Sequence, residues 1–170
     1  SKAIGLATDI INTFEKKYEE KWLGMMRDKL GLFGIDHKDK FLILDLLTWM
    51  HQKKVDYTNT FCHLMNFKIN NNRDYEDNEF QSWKKRWKER LLKNNNSPEK
   101  FMKLMRSVNP LVIPRNHKIE EALEAAEQND LKPLNKILEI LKRPYDEQIG
   151  TEGYQSPSVS GEKYQTFCGT

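Results

Sequence analysis

The sequence has 170 residues, of which 31% are charged and 38% hydrophobic, and its formal net charge is +3 at pH 7. This length allows a domain with an ordinary hydrophobic core and is too short for a complete large enzyme. No stretch reaches the roughly 20 apolar residues of a membrane span, and the first residues lack the features of a secretory signal. We therefore expect a cytoplasmic, intracellular protein with no membrane segment.

Apolar residues recur at helical spacing from the first part of the chain onward. The first helix should end before Gly31 and carry apolar residues that step by four along one face: Ile10, Phe14, Tyr18, Trp22 and Met26. A second helix is expected after a cap at Asp36, and a third is expected to begin near Asp56 or Thr58.

The second half of the chain continues the helical pattern after a polar break at residues 70–74. Ser97-Pro98-Glu99 predicts the start of a fifth helix, and the prolines at 110 and 114 predict an extended segment. Two last helices, at 116–128 and 130–142, should pair as an antiparallel hairpin. The fourth helix is marked by a stripe predicted to be buried: Phe80, Trp83, Trp87 and Leu91.

These patterns predict an all-α fold of about seven short helices in an irregular bundle. Residues 1–145 would form this helical domain, and residues 146–170 would form an irregular, loop-like tail, because Pro and Gly recur there without any period. The tail places Cys168 three positions from the end. Its thiol should therefore be accessible to a partner.

Basic residues cluster at 84–93, interleaved with Trp83 and Trp87. Such a face could hold phosphates and stack bases, which would make it a nucleic-acid surface. The alternative is that both tryptophans are buried and the cations form a solvated face, which could also meet an acidic protein or domain. We favour this alternative.

The sequence offers no catalytic, cofactor-binding or metal-ligating set of residues. The four histidines lack metal-ligand spacing, and no glycine-rich phosphate loop is followed by the required lysine. Cys62 and His63 are adjacent on a predicted helix, so they point about 100° apart, which is poor geometry for a thiolate and its base. A buried structural cysteine is the favoured interpretation of Cys62.

Five strings, in order and in register, resemble the carboxy-terminal region of the selenoprotein O family, also called SelO or YdiU. Together they extend over nearly the whole chain. They are Met26-Arg27-Asp28-Lys29-Leu30-Gly31-Leu32, Asp56-Tyr57-Thr58-Asn59-Thr60-Phe61, Met105-Arg106-Ser107-Val108-Asn109-Pro110, Ile113-Pro114-Arg115-Asn116-His117 and Tyr164-Gln165-Thr166-Phe167-Cys168-Gly169-Thr170.

This resemblance implies a kinase-like parent, a protein adenylyltransferase that moves AMP from ATP onto hydroxyl side chains of other proteins with Mg or Mn. The nucleotide and metal residues of the family would lie upstream, so this chain would be a bacterial fragment that lacks the amino-terminal part and keeps the natural carboxyl end. By itself it should hold no cofactor and be inactive. Its partners would be the upstream kinase-like domain and, through the parent, protein substrates.

The resemblance also singles out residues of this chain. Cys168 corresponds to a tail position that holds cysteine or selenocysteine in the family and is associated with redox control. Segment 109–116 is our candidate for an interdomain strap that presents backbone groups, with Arg115 and Asn116 as contacts. The alternative for Arg115 is a surface ion pair or a bond to the carboxyl end of a neighbouring helix. Two other functions stay open: a nucleic-acid module and an autonomous thiol enzyme that depends on Cys168.

Overall fold

The structure is a computed structural model that describes residues 2–67, 73–93 and 96–158. These residues contain eight α-helices, one 3-10 helix and no strand, which confirms the all-α prediction. Internal contacts divide the chain into two compact units, Ser1–Pro110 and Leu111–Thr170. The boundary predicted between residues 145 and 146 concerns the organisation of the longer protein and stays a prediction.

The first unit contains five of the α-helices, and its first helix ends where the sequence predicts. The backbone of Gly31 has φ +70°, the left-handed conformation that glycine adopts readily. A Cβ there would lie only 3.0 Å from Met105 Cγ, so a side chain would require its neighbours to shift. The helices are α1 (Lys2–Lys29), α2 (Asp39–Lys53), α3 (Tyr57–Leu64), α4 (Asn78–Leu92) and α5 (Pro98–Val108), with the 3-10 helix at Arg73–Glu76.

The core of the first unit is aromatic. Trp83 and Trp87 are stacked with ring centroids 6.0 Å apart and an interplanar angle of 8°. Their indole nitrogens donate to the carbonyls of Leu42 and Leu30, both at 2.8 Å. Buried rings whose polar edge also has a partner stabilise a core without leaving an unsatisfied donor. The stripe predicted for the fourth helix is therefore buried as expected.

One of the predicted helix starts carries the expected cap, and two differ in detail. The Asp56 carboxylate accepts from the Asn59 amide at 2.8 Å, which caps α3. Ser97 precedes Pro98 at the start of α5 but makes no side-chain cap bond. The α2 helix begins only at Asp39, because Asp36 accepts from the Lys38 amide at 2.8 Å and forms a turn before the helix.

The second unit contains α6 (Asn116–Glu127), α7 (Lys132–Leu141) and the single turn α8 (Glu152–Gln155). Helices α6 and α7 pack on each other, as predicted for the last two helices. Asn129 closes α6 at φ +64°, and Asp130 accepts from the Lys132 amide at 3.0 Å. The short α8 lies within the segment that was predicted to be loop-like.

Candidate functional site

The most strongly coupled charges in the first unit meet at Asp39, which is fully buried at the start of α2. Arg27 Nε of α1 donates to Asp39 Oδ2 at 2.7 Å, and Arg90 Nε of α4 donates to Oδ1 at 2.7 Å. Arg90 Nη2 also donates to the carbonyls of Phe33 and Gly34, both at 3.2 Å. We call Asp39, Arg27 and Arg90 the Asp39 cluster; it ties three helices and a loop together.

The environment of the Asp39 cluster favours the ionised carboxylate. Burial alone would raise the pKa of Asp39, but hydrogen bonds from Arg90, the Asp36 amide and Arg27 outweigh it and hold that pKa below its ordinary value. Both carboxylate oxygens already accept hydrogen bonds from these groups. Because the oxygens are occupied, the cluster stabilises the fold and is poorly suited to act as a general base.

Sequence reasoning missed the Asp39 cluster, although the pattern of α4 contains a signal for it. Arg90 follows Trp83 and Trp87 at spacings of seven and three residues, so it lies on the buried stripe rather than on the solvated face. It is only 6% exposed. A basic residue at a stripe position predicts a buried carboxylate partner, because an unpaired guanidinium would not be buried.

The outer face of α4 is partly neutralised by ion pairs. Arg86 bonds Asp45 at 2.7 Å and Lys93 bonds Asp36 at 2.7 Å. The hydrogen bond from Lys93, followed by the Lys38 amide, lowers the pKa of Asp36 to about 2. Trp83 and Trp87 lie in the core, so neither ring is available to stack on a base.

Three lysines of α4 remain as a group, and we call Lys84, Lys85 and Lys88 the lysine patch. They line a shallow depression together with Gln81, Glu89 and the exposed Leu92, so three cations and one carboxylate meet there. Burial, and then the charge of Lys88, lower the pKa of Lys84, whose ammonium lies 5.9 Å from the centroid of the Phe80 ring. The lysine patch can therefore attract carboxylates or phosphates at the surface of α4.

Cys62 and His63 take up structural positions in α3. The Cys62 side chain is buried, and its sulfur lies 3.7 Å from the carbonyl oxygen of Pro110. The His63 ring stacks on Tyr75 with centroids 4.0 Å apart and an interplanar angle of 9°. These contacts agree with the interpretation of Cys62 as a core residue.

Segment 109–116 is held by internal hydrogen bonds at several points. The amides of Leu111 and Val112 donate to the Pro144 carbonyl at 2.7 and 3.2 Å. The expectation that this segment presents unpaired backbone groups is wrong for these two amides, because the turn after α7 already accepts them. Asn109 Nδ2 donates to the carbonyls of Lys29 and Met105, both at 2.9 Å.

Arg115 and Asn116 lie at the start of α6. Arg115 Nη2 donates to the carbonyl of Gln155, the last residue of α8, at 2.7 Å. This is the alternative considered for Arg115, a bond to the carboxyl end of a neighbouring helix. Asn116 is exposed as the first residue of α6. The interdomain contact of Arg115 and Asn116 stays a prediction.

Cys168 and the string 164–170 lie outside the described residues. Within the described ranges, no three His, Cys, Asp or Glu side chains are grouped closely enough to hold a metal ion. No helix in that part of the chain is long and apolar enough to cross a membrane.

The sequence matches one protein family and is similar to individual bacterial proteins. The sequence profile of a family described as "Protein adenylyltransferase SelO" matches residues 4–142. A protein nucleotidyltransferase YdiU from Pelagibacter ubique is 54% identical over 170 residues, which cover 99% of this chain and 35% of the relative. Proteins of the same name from Alcanivorax borkumensis and Clostridium botulinum are 45% and 42% identical, and the chain again covers 35% of each.

Proposed function

The chain belongs to the protein adenylyltransferase SelO family, and we propose that it is the carboxy-terminal helical structural and regulatory domain of a longer SelO-like enzyme. The parent transfers AMP from ATP to protein hydroxyl groups through a kinase-like part upstream of this chain. The observation that carries this proposal is the family match over residues 4–142 in a chain that spans only 35% of its relatives' length. The named relatives are bacterial, which supports a bacterial parent; that the parent is cytoplasmic belongs to the proposal.

The family implies ATP and a divalent metal, and the described residues do not fit such a group. The buried carboxylate Asp39 has both oxygens occupied by guanidinium and amide donors. No acidic group within the described ranges offers the several oxygen ligands that Mg²⁺ uses beside a triphosphate. We therefore propose that the nucleotide and metal ligands lie in the upstream part.

The role left to this chain is to hold a rigid surface beside the kinase-like part. The Asp39 cluster fixes α1, α2 and α4 to one another, and the stacked tryptophans fill the space between them. Buried charge networks whose members are all hydrogen-bonded make a core more rigid and favour a single packing arrangement. These features support a structural domain.

The regulatory half of the proposal concerns Cys168. Its thiolate would attack a low-molecular-weight disulfide, releasing one small thiol and forming a mixed disulfide. A second thiol of the parent would then attack the mixed disulfide and release the other small thiol, which leaves an intramolecular bridge. Two thiols are oxidised and one small disulfide is reduced in this exchange. Activity of the full-length enzyme should then depend on the thiol–disulfide ratio of the buffer, and Cys168→Ser should abolish that dependence while activity persists.

The main test uses the full-length protein and ATP labelled in its α-phosphate. The full-length protein should transfer the label to protein side chains, and the 170-residue chain should not. Label transfer by the 170-residue chain unaided would contradict the division of roles. A full-length protein that transfers no label under any metal condition would remove the proposed activity.

The lysine patch favours a second candidate function, the binding of an acidic partner or of nucleic acid. None of the three lysines has a carboxylate within 4.0 Å in the described ranges. Binding should weaken steeply above about 50 mM salt and be lost in Lys84→Glu/Lys88→Glu. Lys132→Glu/Lys136→Glu on α7 changes the charge equally at the same spacing and serves as the control. Retained binding in the first variant would contradict this function.

A further inference from the structure

Helix α1 carries a continuous apolar stripe that the described part of the chain leaves uncovered. At 100° per residue, its members fall within an arc of about 120° around the helix. Each of them is between 60% and 71% exposed. We call this set the α1 stripe: Ile4, Ile10, Ile11, Phe14, Tyr18 and Met25.

The exposed part of α1 gains little stability from tertiary packing. Packing of an amphipathic face, rather than helix propensity, supplies most of the stability of helices in proteins. Near the carboxyl end of α1, Met26 is buried and Arg27 joins the Asp39 cluster, so this end of the helix contacts the rest of the first unit. Glu19, which lies about 100° around α1 from Tyr18, accepts a hydrogen bond from Lys40 of α2. These contacts leave the side chains of the α1 stripe exposed.

We propose that the α1 stripe is the docking surface for the part of the parent polypeptide that lies outside this chain. This inference rests on the proposed function, because the occupant is the upstream kinase-like part named there. The chain spans only 35% of its relatives' length, so most of the parent is available to cover the stripe. A covalently attached partner is present at a millimolar effective concentration, so a modest apolar contact suffices.

The edges of the α1 stripe describe the chemistry of the occupant. Lys17 borders one edge, Lys21 lies just inside that edge, and Glu15 borders the other edge. An apolar surface with carboxylates opposite Lys17 and Lys21 and a cation opposite Glu15 would complement the stripe. Aromatic Phe14 and Tyr18, stacked with centroids 6.1 Å apart, would be its central anchors.

A second copy of this chain fits the stripe less well. Positions 4, 11, 18 and 25 step by seven, as in a coiled coil, and the matching second seam passes through Phe14, Lys21 and Asp28. In a parallel pair, Lys21 would face Lys21 and Asp28 would face Asp28 of the other copy. Like charges at these seam positions disfavour pairing, whereas a different surface can place opposite charges there.

The test is oxidative footprinting of the full-length protein with hydroxyl radicals, followed by peptide mass spectrometry. Tyr18 and Tyr145 have the same chemistry and are 61% and 47% exposed. If the stripe is covered, Tyr18 should be oxidised about tenfold more slowly than Tyr145, because it reacts only when the contact opens. This protection should persist on dilution. Equal or faster oxidation of Tyr18 would overturn the proposal, and protection that disappears on dilution would identify a second copy instead.

A pair of matched variants checks that the stripe itself makes the contact. Ile4→Asp/Ile11→Asp should restore Tyr18 oxidation in the full-length protein to the rate of Tyr145. Gly5→Asp/Asn12→Asp places the same two charges, at the same spacing, on the polar side of α1 and should leave Tyr18 protected. Protection that survives the stripe variant would overturn the proposal. Transfer of AMP is measured separately. If Tyr18 is protected but no label is transferred, the proposed activity is contradicted and the docking surface is not. If label is transferred but Tyr18 is accessible, the docking surface is contradicted and the activity is not.

Discussion

The two ends of α1 have the same helical periodicity and opposite surroundings. Near its carboxyl end, Met26 is 2% exposed and Arg27 bonds the buried Asp39. Toward its amino end, Phe14 and Tyr18 are as apolar as the core residues yet remain exposed. The difference teaches that periodicity determines which face of a helix is apolar, whereas only the tertiary neighbours determine whether that face is covered.

The largest expected effect tests the anchored end. Asp39→Asn leaves Arg27 and Arg90 buried beside a neutral amide, so we expect the free energy of unfolding to fall by about 3–5 kcal/mol. The measurement is urea unfolding followed by tryptophan fluorescence, since all four tryptophans lie in the first unit.

Asp45→Asn is the matched control for that prediction, because Asp45 bonds Arg86 at the surface. An exposed ion pair of this kind contributes about 0–1 kcal/mol. If the two variants lost the same small amount, the Asp39 cluster would not be an anchor of α1.

A smaller effect compares two neighbouring methionines on α1. Met26 is 2% exposed and Met25 is 60% exposed. Met26→Ala removes buried volume and should cost about 2–5 kcal/mol in the 170-residue chain, whereas Met25→Ala should change stability by about 0.5 kcal/mol or less. Urea unfolding measures both. Equal losses would mean that α1 lacks the two environments described here.

The sequence predicted the helices well because helical periodicity is a local property. The α4 stripe, the left-handed Gly31 and the cap at Asp56 all follow from residues within one or two turns of each other. The Asp39 cluster was missed because Arg27, Asp39 and Arg90 are far apart in sequence and meet only through tertiary packing. The exposure of Phe14 could not be predicted either, because an apolar stripe looks the same whether or not a neighbour covers it.

A third effect concerns the packed region at alkaline pH. Burial raises the pKa of Tyr75 to about 12, and the hydroxyl lies 3.1 Å from that of Thr60. Because the folded pKa lies above the ordinary 10.0, the protonated ring contributes stability that is complete below pH 10 and is lost as pH rises through about 12. We expect the chain to lose roughly 1–2 kcal/mol more than Tyr75→Phe over this range in urea unfolding.

Tyr18→Phe on the α1 stripe is the matched control for the alkaline series. It removes the same hydroxyl group from an exposed position, so the extra alkaline loss due to Tyr75 should remain. At neutral pH, Tyr75→Phe should itself cost about 0.5–1.5 kcal/mol through its hydrogen bond to Thr60. An unchanged alkaline loss in Tyr75→Phe would contradict the assignment.

The smallest effect in this chain is expected at Phe14, and it sharpens the contrast between the ends of α1 most directly. Phe14→Ala should change the urea stability of the 170-residue chain by about 0.5 kcal/mol or less, because an exposed side chain loses little and alanine favours the helix. In the full-length protein the same substitution should cost about 2 kcal/mol or more, because there Phe14 would be buried against the upstream part. A loss above about 1 kcal/mol in the 170-residue chain would mean that the stripe is covered within it. The same small change in both proteins would mean that the stripe stays exposed in the parent, because a core contact cannot be truncated without cost.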